Sequence, residues 1–193
     1  MSKRPVIDRG KVLDAAEGVV MREGVAALSI GQVAKAAGIS KGGVQSCFGT
    51  RDGLIEAMFN RWKAEFEVVV RDNAPDAAEP LDSLRAQVQL LAASDEALGK
   101  RAAAVLAAML SREELRQRSS DWYRPLLMRE DGGDDERSRN ARLAFLAAKG
   151  AFLLRSFGLM EMSETEWQAI FREIDTLLPP EALPGRGHGD GHD

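Results

Sequence analysis

Between Gly38 and Leu54 the chain reads GISKGGVQSCFGTRDGL. Its polar side chains, Ser40, Lys41, Gln45, Ser46, Thr50 and Arg51, suit recognition better than bond making. Both histidines, His188 and His192, lie far downstream, so no Ser-His-Asp or Cys-His set can be assembled from this stretch. Helix starts at Ser40 and Thr50 would aim unpaired N–H groups at phosphate oxygens, with Lys41 and Arg51 adding point charges beside them. Gln45 carries the donor and acceptor that fit an adenine edge, and Lys41 fits guanine or phosphate. Gly42 and Gly43 each cost a helix interior ~1 kcal/mol relative to Ala. A backbone that must come close to a duplex would account for them, because a residue without a side chain leaves room. Ser29 and Gln32, at the start of the preceding helix, complete this candidate DNA-binding face.

The remaining reactive groups point to no reaction. Cys47 is the single cysteine, which excludes an internal disulfide framework and fits a reducing cytoplasm. It reads as a small packing residue; a redox sensor activated by Arg51 is the sharper alternative. His188 and His192 have a helical ligand spacing but sit in a Gly-rich tail, so no metal site is expected. The carboxylates are spread along polar stripes with no acid–base pair among them. No catalytic residue and no cofactor is therefore assigned.

Charge is uneven. Residues 1–51 hold eight Lys/Arg against four Asp/Glu, a net +4 in a chain whose total is −4. A basic head on an acidic body suits a polyanionic partner at one end. The hydrophobic fraction of 45% is that of a folded globular chain. The start, MSKRPVIDRG, has no apolar core of a secretory leader, and the longest apolar run, Ala102 to Leu110, is too short to cross a bilayer. A cytoplasmic protein with no membrane partner is expected.

The elements that must position these residues are helices throughout. Val12, Ala15, Ala16, Val19 and Val20 give a first amphipathic helix from Asp8 to Glu23, stopped by Gly24. Ser29 with Gln32 opens a second at Ile30, which Gly38 ends. The third has room only for Lys41 to Phe48, with Val44 and Phe48 turned inward. Thr50 caps a fourth that runs to Asn73, and Asn73 to Pro80 reads as a linker. Further helices are expected from Leu81 to Ala93, Glu96 to Leu110, Ser111 to Met128, Asp134 to Phe157, and from Ser163 to just before Pro179. Ser111 with Glu114, and Ser163 with Glu166, read as capping boxes. The expected fold is all-α, with about nine helices. The domain limits are 1–50 for a three-helix DNA-binding head, 51–180 for a helical ligand-binding and dimerisation body, and 181–193 for a flexible tail.

Two short helices joined by a Gly-containing turn form a helix-turn-helix, whose second helix enters the major groove. The stretch LSIGQVAKAAGISKGGVQSCFGTRDGLIEAMF, preceded by one amphipathic helix, resembles the DNA-binding domain of TetR-family (tetracycline-repressor-like) transcriptional regulators. Beyond about residue 70 the resemblance is one of architecture only. It implies a homodimer, an inducer pocket between the helices after the linker, and helix four as the connection to the DNA-reading helices. One departure stands at Gln45, Ser46 and Cys47, where many members carry His or an aromatic ring against the DNA backbone. The phosphate grip here would lean more on Lys41, Thr50 and Arg51.

In the body, Trp62, Phe66, Met109, Trp122, Tyr123 and Phe145 are the candidate ligand-binding residues. Adjacent Trp122 and Tyr123 cannot both face one core, so at least one should line a cavity. Few fixed charges are expected around these aromatics, which favours an apolar or aromatic effector. The last two long helices suit a dimer face: Ala147, Ala148, Gly150 and Ala151 on one, and Trp167, Ile170, Phe171, Ile174, Leu177 and Leu178 on the other. A two-fold dimer would read a near-palindromic operator in double-stranded DNA. The expected function is a repressor released from its operator by a small molecule. Alternatives are a ligand-dependent activator, a helical protein-interaction module, and a helical enzyme carrying a helix-turn-helix.

Overall fold

A computed structural model describes residues 7–73, 80–128 and 135–178. Within them every regular element is helical: α1 (Arg9–Glu23), α2 (Ile30–Ala37), α3 (Lys41–Phe48), α4 (Arg51–Asn73), α5 (Pro80–Ala92), α6 (Glu96–Leu110), α7 (Glu113–Leu127), α8 (Glu136–Ser156) and α9 (Glu164–Asp175), with a 3-10 turn, Val25–Ala27, after α1. The expected linker between Asn73 and Pro80, residues 129–134, the two histidines and the tail 181–193 fall largely or wholly outside the described residues. No described helix is long and apolar enough to cross a membrane.

The caps explain most boundaries. The Ser29 hydroxyl accepts from the Gln32 N–H at 3.2 Å, Ser40 from Gly43 at 3.0 Å and Thr50 from Gly53 at 3.1 Å. Ser163 and Glu166 form a reciprocal capping box at the start of α9. Gly38 ends α2 at φ 67°, the left-handed conformation that a residue without Cβ adopts at little cost. The expected box at Ser111 does not form. Ser111 ends α6, its hydroxyl donates to the Ala108 carbonyl at 2.6 Å, and α7 starts at Glu113 without a side-chain cap. A serine at a helix–helix junction can serve either neighbour, and here it turns back.

Two apolar cores result. The first joins Val12, Ala16, Val33, Val44, Leu54 and Met58 to Val105 and Ala108 of α6. The second is built from Leu84 and Val88 of α5, Ala144, Phe145 and Ala148 of α8, and Trp167 and Phe171 of α9. Trp62 packs against both. The unit around the head thus extends through the first turns of α4 into α6, and a boundary at residue 50 passes through the middle of its core.

Candidate nucleic-acid interface

Helix α3 is held from below and open above. Val44 is 0% exposed and Phe48 8% exposed. Burial of two such side chains contributes ~1.5–3 kcal/mol each, more than the ~2 kcal/mol that Gly42 and Gly43 together take from the helix. Lys41, Gly42, Gln45 and Ser46 are exposed, as are Ser40 and Thr50 on the flanks and Ser29 and Gln32 at the start of α2. The stem of Lys41 lies over Gly31, where an added Cβ would stand 3.1 Å from Lys41 Cε.

The two glycines have different jobs. A Cβ at Gly42 would meet nothing closer than the Ser40 hydroxyl at 4.0 Å, so this backbone is open to an incoming partner. A Cβ at Gly43 would stand 2.9 Å from Ile7 Cδ1. Gly43 therefore makes room for the Ile7 side chain, just before α1, which corrects the expectation that both serve close approach to DNA. Arg9 fastens the same join: its guanidinium donates to the Cys47 carbonyl and lies 4.5 Å from the Phe48 ring centre. Cys47 is half-buried against the first core, in line with a packing role.

Arg51 also needs correction. Its Nε donates to the Leu28 carbonyl at 2.8 Å and its Nη2 to the Val25 carbonyl at 3.0 Å. The guanidinium is turned back to brace the 3-10 turn, so it is a poor candidate for phosphate. Gly53 was overlooked: a Cβ there would fall 2.2 Å from the Phe48 carbonyl oxygen, so the α3–α4 corner demands glycine.

The head is wired to the body by ions. Glu17 of α1 is only 4% exposed and pairs with Arg61 of α4 at 2.6 Å and with Arg101 of α6 at 2.6 Å. Arg61 also reaches Asp14 at 2.7 Å, and Arg101 reaches Glu65 at 2.6 Å. The bond to Glu17 is the main cause that holds the Arg101 guanidinium protonated even more firmly than usual. Helix α7 grips α4 in turn: Arg112 pairs with Asp52, and Arg118 donates to Glu56 and to Asn60, each at 2.8 Å.

Between α4, α6 and α7 lies a cavity of about 330 Å³. Trp62, Phe66, Met109, Trp122 and Tyr123 line it, while Phe145 is buried behind Tyr123, with ring centres 6.2 Å apart. The aromatic run is continuous: Trp62 stacks on Phe66 at 5.7 Å, Phe66 meets Trp122 edge-on at 6.2 Å, and Trp122 meets Tyr123 at 4.6 Å. Burial pushes the Tyr123 hydroxyl pKa upward. Charges are nearer than the sequence suggested. Lys63, Arg118 and Asp121 also line the cavity, and the Lys149 amine lies behind its wall, over the Phe66 ring. Among the described residues no three His, Cys, Asp or Glu side chains gather as a metal site.

Residues 12–58 match the profile of bacterial regulatory proteins of the tetR family, and residues 82–179 match that of the tetracyclin repressor-like C-terminal domain. The chain belongs to the tetR family. Members are DNA-binding regulators that respond to ligands, which is the class of function this chain carries. Comparison with curated proteins by sequence gives no match. Solved tetR-like structures share the fold at low identity. A transcriptional regulator from Rhodococcus sp. Rha1 aligns with a TM-score of 0.65 at 22% identity, over 89% of this chain and 96% of that one. The multidrug binding protein EbrR, complexed with malachite green, aligns with a TM-score of 0.63 at 23% identity, over 91% and 100%. FadR from Bacillus subtilis, complexed with stearoyl-CoA, aligns with a TM-score of 0.61 at 19% identity, over 89% and 98%.

Within this tetR architecture, sequence reasoning missed Ile7, Arg9, Glu17, Gly53 and Lys149. Lys149 alone left a local trace, as the single charge in the apolar stretch AFLAAKGAFLL. The partner of Gly53 is the carbonyl of nearby Phe48, and those of Ile7, Arg9 and Glu17 lie on distant segments.

Proposed function

We propose that this regulator is a homodimeric repressor that holds a near-palindromic operator and lets go when an effector fills the cavity between α4, α6 and α7. The carrying observation is the exposed polar face of α3: Lys41, Gly42, Gln45 and Ser46 stand open on a helix pinned beneath by Val44 and Phe48. Lys41 and the first N–H groups of α3 and α4, just after the caps Ser40 and Thr50, would hold phosphate, Gln45 would read a base edge, and Ser29 and Gln32 would touch the flanking backbone. Arg51 acts in this reading as a brace for the turn.

The dimer face is the outer stripe of α8. Leu143 (49% exposed), Leu146 (51%) and Leu154 (41%) follow one another at helical spacing, with exposed Ala147 and Gly150 between them and nothing within 4 Å of a Cβ at Gly150. Ala148, Ala151, Trp167, Phe171, Ile174 and Leu178 are buried within the chain and are not available to a partner. They are withdrawn from the dimer face read in the sequence.

An effector between Trp122, Tyr123 and Phe66 would press on α4 and α7 together, because Arg118 and Arg112 tie these helices. Arg61 and Glu17 carry any shift of α4 to α1. The effector moves the equilibrium only by binding the two states unequally, with typical couplings of ~5–150-fold in affinity. An apolar or aromatic molecule suits the walls. The protein acts where its DNA lies, in the cytoplasm. Selection from a random duplex library at a stated salt concentration tests the reading. A motif with two-fold symmetry supports it, and a folded dimer that selects no motif, even with cell extract added, overturns it.

A further inference from the structure

Lys149 sits in the middle of α8, and its ammonium group is surrounded by rings from three helices. It lies 4.9 Å from the ring centre of Phe66 on α4, 5.5 Å from Phe145 on α8 and 5.8 Å from Tyr123 on α7. No acid among the described residues pairs with it; burial alone perturbs it, lowering its pKa to about 8. It still carries its charge at neutral pH for most of the time. A half-buried charge without a counter-ion is costly, and three ring faces offset only a part. A methionine would pack in this place at less cost.

What distinguishes this amine is what stands in front of it. Phe66 and Tyr123, two of the rings that hold it, also wall the cavity. The other charges of that cavity are already engaged. Lys63 pairs with Glu67 at 3.4 Å, Arg118 with Glu56 at 2.8 Å, and the Asp121 carboxylate accepts from Gln117 at 3.0 Å. Among the cations that line or back this pocket, Lys149 is the one that pairs with no acid among the described residues, and it stands behind the rings of Phe66 and Tyr123.

We propose that the effector is an organic anion, with an aromatic or apolar body held by Trp62, Trp122 and Tyr123 and an acidic group that passes between Phe66 and Tyr123 to pair with Lys149. The proposal rests on reading this cavity as the effector site. A direct ion pair in a dry pocket is stronger than the ring contacts it replaces, so the anion would draw Lys149 away from Phe66 and free a contact on α4, the helix that leads to the head.

Two dyes of one shape test this at pH 7: anilinonaphthalene sulfonate, which is anionic, and N-phenylnaphthylamine, which lacks the sulfonate. Each is titrated into the full-length protein, into Lys149→Met, Lys149→Arg and Trp122→Ala, all first shown to melt cooperatively. The expected result is that Lys149→Met weakens the anionic dye at least ~10-fold, leaves the neutral dye within ~2-fold, and that Lys149→Arg restores anion binding, as loss of one charge-assisted contact requires. If the neutral dye binds, Trp122→Ala weakens it, and Lys149→Met leaves the anionic dye unchanged, the cavity stands and the anion proposal falls. If Trp122→Ala changes neither dye, or neither binds, the cavity reading falls and takes the proposal with it.

Discussion

Helices α3 and α8 each leave one face uncovered, and the two faces have opposite chemistry. The face of α3 is polar and interrupted by Gly42; the face of α8 is a row of leucines around Gly150. Water covers the first at no hydrophobic cost, so its partner can come and go. Water covers the second badly, since contiguous apolar patches of more than a few hundred Å² are rare on monomers. In the function proposed above, α3 takes a transient partner, DNA, and α8 a standing partner, a second copy.

The comparison can be broken most severely at α8. Leu146→Glu combined with Gly150→Glu should turn the dimer into monomers by sedimentation and weaken operator binding by on the order of a thousandfold, because two linked half-sites lose their mutual effective concentration. Next comes the base of α3. Gly53→Ala drives a Cβ into the Phe48 carbonyl oxygen and should remove about 3 kcal/mol or more in urea unfolding. Gly42→Ala, in open space, should instead raise stability by up to ~1 kcal/mol while weakening operator binding.

Lys149 gives a pH-dependent effect of intermediate size. Its folded-state pKa, about 8, is below that of the unfolded chain, so the folded protein bears the full penalty below pH 8 and loses it as pH rises toward ~10.4. Lys149→Met should therefore stabilise by ~1–3 kcal/mol at pH 7, with the gain shrinking between pH 8 and 10 in matched melts. The smallest contrast separates two cations of the head. Lys41→Ala should weaken operator binding by roughly tenfold and reduce its salt slope by about one. Arg51→Ala should lower the melting temperature, through its lost bonds to Leu28 and Val25, and leave the slope unchanged.

Local signals carried the helices. Ser29, Ser40, Thr50 and Ser163 cap where their side chains suggest, and Val44 and Phe48 face inward as their spacing requires. What stayed hidden depends on contacts between distant segments. Gly43 is constrained by Ile7, Arg51 by carbonyls across a turn, and Lys149 by rings from two other helices. Periodicity also could not say which side of α8 faces the core, because its apolar residues occupy both sides: Ala144, Phe145 and Ala148 inward, Leu143 and Leu146 outward. Ser111 shows the same limit at a junction, where one motif fits the helix before it and the helix after it.

The central claim is that the two open faces answer to two different partners and act together. Its most direct test is the mass, by sedimentation, of the free protein and of its complex with the selected duplex. The account predicts a dimer in both, with two copies on one duplex of two-fold symmetry. A free monomer, or a single copy on the duplex at full affinity, would contradict it.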